Sequence, residues 1–203
     1  MSVLIGGYMT NKRKIKNKLV SAAIECIEDF GLQNTTSRKI AKKAGANLAA
    51  INYHFNSKDN LIEIALDQTL DEAFENMIDE ELLNKQYPTF ALYSFLLEFL
   101  QVGLKHPEII KAHLFQPMME NRYDTMFMKK WNKFVITFIE HVSNMLPNMT
   151  SEEIELGIIH SLSNITFLGL LPGLYKNSTS LDISDTKTQQ RFVKDLVSKN
   201  FHK

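Results

Sequence analysis

Apolar residues along nearly the whole of this chain recur every three or four positions, and no stretch of any length alternates apolar with polar. That period belongs to the α-helix and not to the half-buried strand, so the chain reads as all-α. Residues 15–30 carry the pattern in full. Ile15, Leu19, Ala22, Ala23, Cys26, Ile27 and Phe30 share one face, while Lys14, Lys18, Ser21, Glu25 and Glu28 face away. Gly31 follows where a left-handed stop belongs. Prolines at 88, 107, 117, 147 and 172 punctuate the second half, each near a point where a helix should begin or end. They divide it into helices of roughly 89–104, 107–116, 118–146, 150–171 and 186–201, with polar KNSTSLDISD as a loop. Thr150 and Glu153 form a capping box, with Met149 and Ile154 placed for a hydrophobic staple.

Residues 35–62 break this regular scheme. Thr35 or Thr36 caps a helix SRKIAKKA, in which Ile40, Ala41 and Ala44 face inward and Arg38, Lys39, Lys42 and Lys43 outward, and Gly45 ends it. Asn47 is an N-cap for a third helix that stops at Asn56-Ser57 within about two turns. Ser57 caps a long fourth helix whose buried side runs through Leu61, Ile62, Ala65, Leu66, Leu70, Phe74, Met77 and Ile78. A helix below about 12 residues is marginal in water, so the third must be held by its neighbours. Ile51 and Phe55 are its anchors.

Two short helices joined by a tight Gly turn, the first cationic and the second opening on small residues, make a helix-turn-helix. Such a unit places its second helix in the DNA major groove. Ala49 and Ala50 keep that end thin, so backbone approaches the base edges and a methyl side chain meets the thymine methyl. Asn52 either reads adenine through its amide or is a solvated surface residue. Thr36, Ser37 and the amides opening the second helix flank the groove on one side; Ser57, Lys58 and the amides opening the fourth flank it on the other. Tyr53 and His54 add a phenol and an imidazole. Charge supports a polyanionic partner. The net charge is zero, yet residues 1–60 carry ten Lys or Arg against four acids, leaving the remainder at −6. Lys12, Arg13, Lys14 and Lys16 form a basic arm, either near the DNA or solvated.

The stretch TTSRKIAKKAGANLAAINYHFNSKDNL resembles the DNA-binding signature of the TetR family of bacterial transcriptional regulators. The likeness lies in the Thr-Thr opening, Arg38, Ile40-Ala41, Ala44-Gly45, His54-Phe55, Ser57-Lys58 and Leu61, and the Ala-Ala-Ile-Asn-Tyr-His-Phe helix resembles one sub-branch. Asn47 stands where Ser is commoner, and Asn52 where an aromatic is. The resemblance implies a DNA-binding set of Thr36, Ser37, Arg38, Asn47, Leu48, Ala49, Ala50, Asn52, Tyr53, His54 and Lys58. It also implies a domain order: an unstructured N-terminus over 1–10, a three-helix DNA-binding domain over 11–60, and a helical effector-binding and dimerisation domain over 61–203. The expected partners are a palindromic double-stranded operator, a second copy of the chain and a small apolar or amphipathic effector that releases a repressor from DNA. A module regulated by a protein partner, with no small ligand, is the alternative.

In the second half, Ile154, Ile158, Leu162 and Ile165 form a stripe with small Gly157, Ser161 and Gly169 beside it, and Phe192, Val193 and Leu196 share a face of the last helix. These are the expected dimer interface. Residues 90–138 are rich in aromatics and methionine. Phe95, Phe99, His113, Phe115, Met118, Met119, Trp131, Phe134 and Phe138 either line an effector pocket or are plain core. Catalysis, metals and cofactors are not expected: the six histidines are scattered, with no His-Glu-x-x-His pair, metal-ligand spacing or Gly-rich phosphate loop. The single cysteine, Cys26, reads as a buried structural thiol suited to a reducing cytoplasm. No segment reads as a signal peptide or a membrane span.

Overall fold

A computed structural model describes residues 2–77 and 88–201 of the chain, with side chains for 12–74 and 88–201. Among the described residues there are nine helices and no strand: α1 (Ser2–Phe30), α2 (Ser37–Ala44), α3 (Ala49–Phe55), α4 (Lys58–Met77), α5 (Pro88–Lys105), α6 (Pro107–Glu120), α7 (Met126–Met145), α8 (Ser151–Leu170) and α9 (Thr186–Asn200). Ile78, expected on the buried side of the fourth helix, lies outside the described residues, as does the side chain of Met77.

The punctuation follows local chemistry. Gly31 ends α1 at φ 75°. Its N–H donates to the Ile27 carbonyl. Thr36, not Thr35, caps α2 by accepting from the Lys39 N–H, while Thr35 is buried and donates its hydroxyl to the Gly31 carbonyl. At the other end Gly45 adopts φ 62°, its N–H donating to Lys42 and that of Ala46 to Ala41, which is the paired 5→2 and 6→1 closure of a Schellman stop. Asn47 caps α3 through Oδ1, which accepts the Ala50 N–H at 2.8 Å. Ser57 Oγ accepts the Asn60 N–H at the start of α4. The Thr150–Glu153 capping box of α8 has both of its hydrogen bonds.

Two sequence expectations change. Residues 2–10 continue α1 instead of forming an unstructured lead, because extending a formed helix adds one hydrogen bond per residue without a new nucleation cost. Pro117 lies inside α6, not between helices. That helix ends only at Asn121, in the left-handed region at φ 53°, so the break before α7 comes four residues later than the proline suggests.

Three apolar clusters organise the molecule. The first joins α1–α4 through Leu19, Ala23, Cys26, Ile40, Ile51, Phe55 and Leu61. The largest ties α5, α7, α8 and α9 through Leu92, Leu96, Phe138, Ile154, Ile158 and Val193. A small third cluster of Ile27, Ile62, Ile109 and Ala112 sits between them, joining α1 and α4 to α6. The expected boundary at residue 60 therefore falls at the start of a helix that serves both halves, since Leu61 and Ala65 pack with the first cluster and Phe74 with the largest.

Small residues set the closest approaches. A Cβ on Gly157 would stand 2.9 Å from the Asn200 carbonyl oxygen and 2.9 Å from the Phe201 ring, and one on Gly169 would stand 3.3 Å from Gly103 Cα. These glycines let α8 seat against α9 and α5 within one chain. This overturns the expected dimer interface. Ile154, Ile158, Leu162, Ile165, Val193 and Leu196 are buried in the isolated chain and Phe192 is partly so, all packed into the largest cluster. A stripe already covered on its own chain has no free apolar area for a second copy. Among the described residues no helix is long and apolar enough to cross a membrane.

Candidate nucleic-acid interface and cavity

The recognition surface is built by anchoring one face of α3 and leaving the other bare. Ile51 and Phe55 are almost wholly buried, Ala50 packs beside them, and the opposite face presents Asn47, Leu48, Ala49, Asn52 and Tyr53. Leu48 and Tyr53 are 48% and 63% exposed, large exposures for apolar side chains. The helix is short because Asn56, at φ 64°, turns the chain at once into the Ser57 cap of α4. Asn60 secures that corner by donating from Nδ2 to the Phe55 carbonyl at 2.8 Å.

The basic arm of α1 lies against this unit. Lys12 Nζ sits 5.0 Å from the Tyr53 ring centre and Lys16 Nζ 5.8 Å from that of Phe55, within cation–π range. Tyr53 meets His54 edge to face at 4.9 Å. Burial, reinforced by Lys12 and Lys16, holds the His54 imidazole below its ordinary pKa, so at neutral pH it offers a dipole and not a positive charge.

The cations of α2 divide into two groups, which the sequence pattern alone did not separate. Lys43 is held by Asp29 at 2.7 Å and Glu25 at 3.0 Å, and these carboxylates keep its ammonium protonated far up the pH scale. Lys39 donates to the Asn34 carbonyl and covers the Phe30 ring at 4.0 Å, which explains how Phe30 stays 43% exposed at the end of an apolar face. Arg38 and Lys42 are exposed and have no ion-pair partner among the described residues. Lys58 reaches back to the Thr35 carbonyl at 3.4 Å and to Asp59 at 3.7 Å, so its ammonium stands at the junction between the α4 and α2 starts. Thr36 and Ser37 occupy the α2 N-terminus, Thr36 with its hydroxyl oxygen engaged as cap.

A second feature lies deeper. A cavity of about 960 Å³, open on one side, is lined by α4–α8, with Ile24 and Glu28 of α1 at its edge. Of the residues expected there, Phe99, His113, Met118 and Trp131 line it. Phe95, Phe134 and Phe138 do not: they are the stacked core beneath, with Phe95 and Phe138 centroids 4.4 Å apart. Phe115 and Met119 are also outside the lining, Met119 being 68% exposed on the outer side of α6. Thr69, which the sequence reading missed, faces His113 across the cavity wall at 3.0 Å. Its one signal was a hydroxyl amid the apolar stripe Ile62, Leu66, Leu70 and Ala73 of α4.

His113 is largely surrounded by protein and lies on the cavity wall. That burial pushes its pKa down to about 4, against a partly opposing effect of Asp67, with Lys130 acting in the same downward direction. The ring is neutral at pH 7. Also bordering the cavity, His106, the N-cap of α6, meets Glu28 of α1, Nδ1 to Oε1, at 2.5 Å. No group of three or more metal-ligating side chains gathers among the described residues.

Comparison with known proteins bears on the first surface directly. Residues 19–65 match the family model described as bacterial regulatory proteins, tetR family. A stretch of 55 residues is 40% identical to the HTH-type transcriptional regulator BetI 1 of Chromohalobacter salexigens, covering 27% of each chain. A stretch of 86 residues is 33% identical to IcaR of Staphylococcus aureus, named as the negative transcriptional regulator of the biofilm operon icaADBC, covering 42% of this chain and 46% of that one. The matches thus span less than half the length of these curated relatives. In fold the likeness reaches much further. A transcriptional regulator from Rhodococcus sp. Rha1 superposes with TM-score 0.66 at 18% identity, over 91% of this chain and 95% of its own. The transcriptional regulator FadR from Bacillus subtilis, solved with stearoyl-CoA, does so with TM-score 0.61 at 15% identity, over 91% and 98%.

Proposed function

We propose that this protein is a DNA-binding transcriptional regulator of the TetR type, a homodimeric repressor that binds a palindromic operator and is released by a small apolar or amphipathic effector. The observation that carries the reading is the bare face of α3, with Leu48, Ala49, Asn52 and Tyr53 outward and Ile51 and Phe55 locked below. Leu48 and Ala49 meet base edges and thymine methyls, and Asn52 pairs with adenine. Arg38, Lys42, Lys58 and the amides opening α2 and α4 take phosphates and fix register. The match over residues 19–65 supports the same assignment.

The homodimer uses the outward face of α8 in place of the buried one. Leu156, Ile159 and Phe167 follow a helical repeat there and are 44–56% exposed, an apolar stripe of the kind that a second copy covers, with Ile159 and Phe167 also bordering the cavity, so that a second copy would meet its rim. A two-fold pair would set its two α3 helices for half-sites about one helical turn, or roughly 34 Å, apart. The cavity favours a small effector over a protein regulator. Its walls include α4 and α6, with α1 at the edge, and these are the helices that join the DNA-binding head to the rest. A ligand that binds more tightly when these helices are displaced shifts the pair away from the operator spacing.

A gel-shift titration on the DNA flanking the gene, at two salt concentrations and with unrelated DNA as competitor, tests the reading. A discrete complex that resists competitor and weakens with salt is expected. Equal loss to unrelated DNA would remove the claim of sequence-specific control.

A further inference from the structure

The wall of the cavity carries a hydrogen-bond acceptor whose partner is missing. Thr69 Oγ1 donates its single proton to the Leu66 carbonyl at 2.7 Å. It cannot donate a second one to His113 Nε2, which lies 3.0 Å away. With that proton on the shorter contact to Leu66, both contacts are hydrogen bonds only when Nε2 holds the ring proton and donates to Thr69, leaving Nδ1 with its lone pair. No hydrogen-bond partner for Nδ1 occurs among the described residues, and His113 borders the cavity. Burial keeps the ring neutral, so the vacant position accepts a hydrogen bond and does not pair with an anion.

The charges nearby point the same way. Among the described residues lining the cavity there is no Lys or Arg, while Glu28 and Glu72 are both present. Lys130, whose charge acts on His113, is already held between Asp67 and Asp71. Of the remaining polar lining, His106 is engaged by Glu28, and Asn121, Ser163 and Thr166 are uncharged. An anionic head in this space would lose its water and gain no countercharge. The rest of the wall, from Phe99 and Ile110 to Trp131 and Leu162, suits a hydrocarbon body.

Resting on the reading of this cavity as the effector site, we infer that its ligand is a lipophilic molecule with a hydrogen-bond-donating head, a hydroxyl or amine, that binds His113 Nδ1 and bears no negative charge. Trp131 is the only tryptophan in the chain and lines the cavity, so its fluorescence reports occupancy without a label.

The test titrates three probes of matched length against the full chain at pH 7.5: n-decanol, its methyl ether and decanoate. The ether keeps the oxygen but cannot donate, and decanoate carries the charge. Decanol is expected to bind about tenfold tighter than the ether, the worth of one hydrogen bond of about 1–1.5 kcal/mol, with decanoate weaker than both. His113→Phe should bring decanol and ether to equal affinity while the ether signal persists, which shows that the cavity is still formed. Decanoate binding as tightly as decanol, or a decanol preference that survives His113→Phe, would overturn the ligand class and leave the cavity as an effector site. If no probe changes Trp131 fluorescence, the effector reading itself falls, and the ligand class with it.

Discussion

Glu28 of α1 and His106, the residue that begins α6, meet at 2.5 Å, and both border the cavity. This contact joins the helix that carries the basic arm to α6, beside the small cluster of Ile27, Ile62, Ile109 and Ala112. A ligand that moves α6 must either carry α1 with it or break this pair. In the proposed mechanism it is therefore one polar connection between the two sites, beside the apolar one through this cluster.

His106→Gln tests that connection. DNA affinity without ligand should stay within about twofold, because residue 106 is remote from α3, whereas release by a cavity ligand should change by about fivefold or more, the lower end of a typical coupling. The check is DNA affinity measured with and without saturating n-decanol.

The division among the α2 cations gives a second prediction. Arg38→Ala should weaken binding to all DNA sequences alike and lower the salt slope by about one. Lys43→Ala should leave that slope unchanged, since Glu25 and Asp29 already hold this ammonium. Binding isotherms over a salt series separate the two. Asn52→Ala is expected to change which sequence is preferred, with little effect on the salt slope.

Packing of α8 gives the third. Gly157→Ala puts a methyl 2.9 Å from the Asn200 backbone oxygen and the Phe201 ring, so helix or terminus must move, and a loss of about 1–3 kcal/mol is expected. Gly45→Ala meets nothing within 4 Å and suffers only from its φ of 62°, at about 1 kcal/mol. Urea unfolding should therefore rank the two in that order.

Acid gives the fourth. His113 has its folded pKa pushed down to about 4 from the ordinary 6.5, so the unfolded chain takes up a proton that the folded chain refuses. Stability is then fully present above pH 6.5 and falls as pH drops from 6.5 toward 4, by roughly 3 kcal/mol from this group. Asp67 and Lys130 are the charged groups acting on it, and His54, also held low, adds in the same direction. His113→Phe should flatten most of this slope in thermal unfolding followed from pH 7.5 to 4.5.

How much of this was legible beforehand differs by level. Helix identity, the stops at Gly31 and Gly45 and the starts at Asn47, Ser57 and Thr150 could be read because each depends on its own few residues. Which apolar face meets which neighbour could not. Ile154, Ile158, Leu162 and Ile165 have the same spacing whether the partner is α5 of the same chain or α8 of another, and only the long-range packing decides. The same limit separated Phe99 and Trp131, which line the cavity, from Phe95 and Phe138 beneath it. The commitment of Lys39 and Lys43 to Phe30, Asp29 and Glu25 arises between helices and leaves no mark in the α2 pattern. Pro117 misled because a proline marks a helix end only where its missing hydrogen bond and ring clash are not accommodated.

The most direct test of the central claim is selection of bound sequences from a random duplex pool by the full-length protein, at physiological salt. The account predicts enrichment of one inverted repeat with half-site centres about one helical turn apart, and loss of that enrichment in a Leu48→Ala, Asn52→Ala variant that still binds DNA weakly. A pool that stays random through successive rounds, with the protein folded and dimeric, would contradict it.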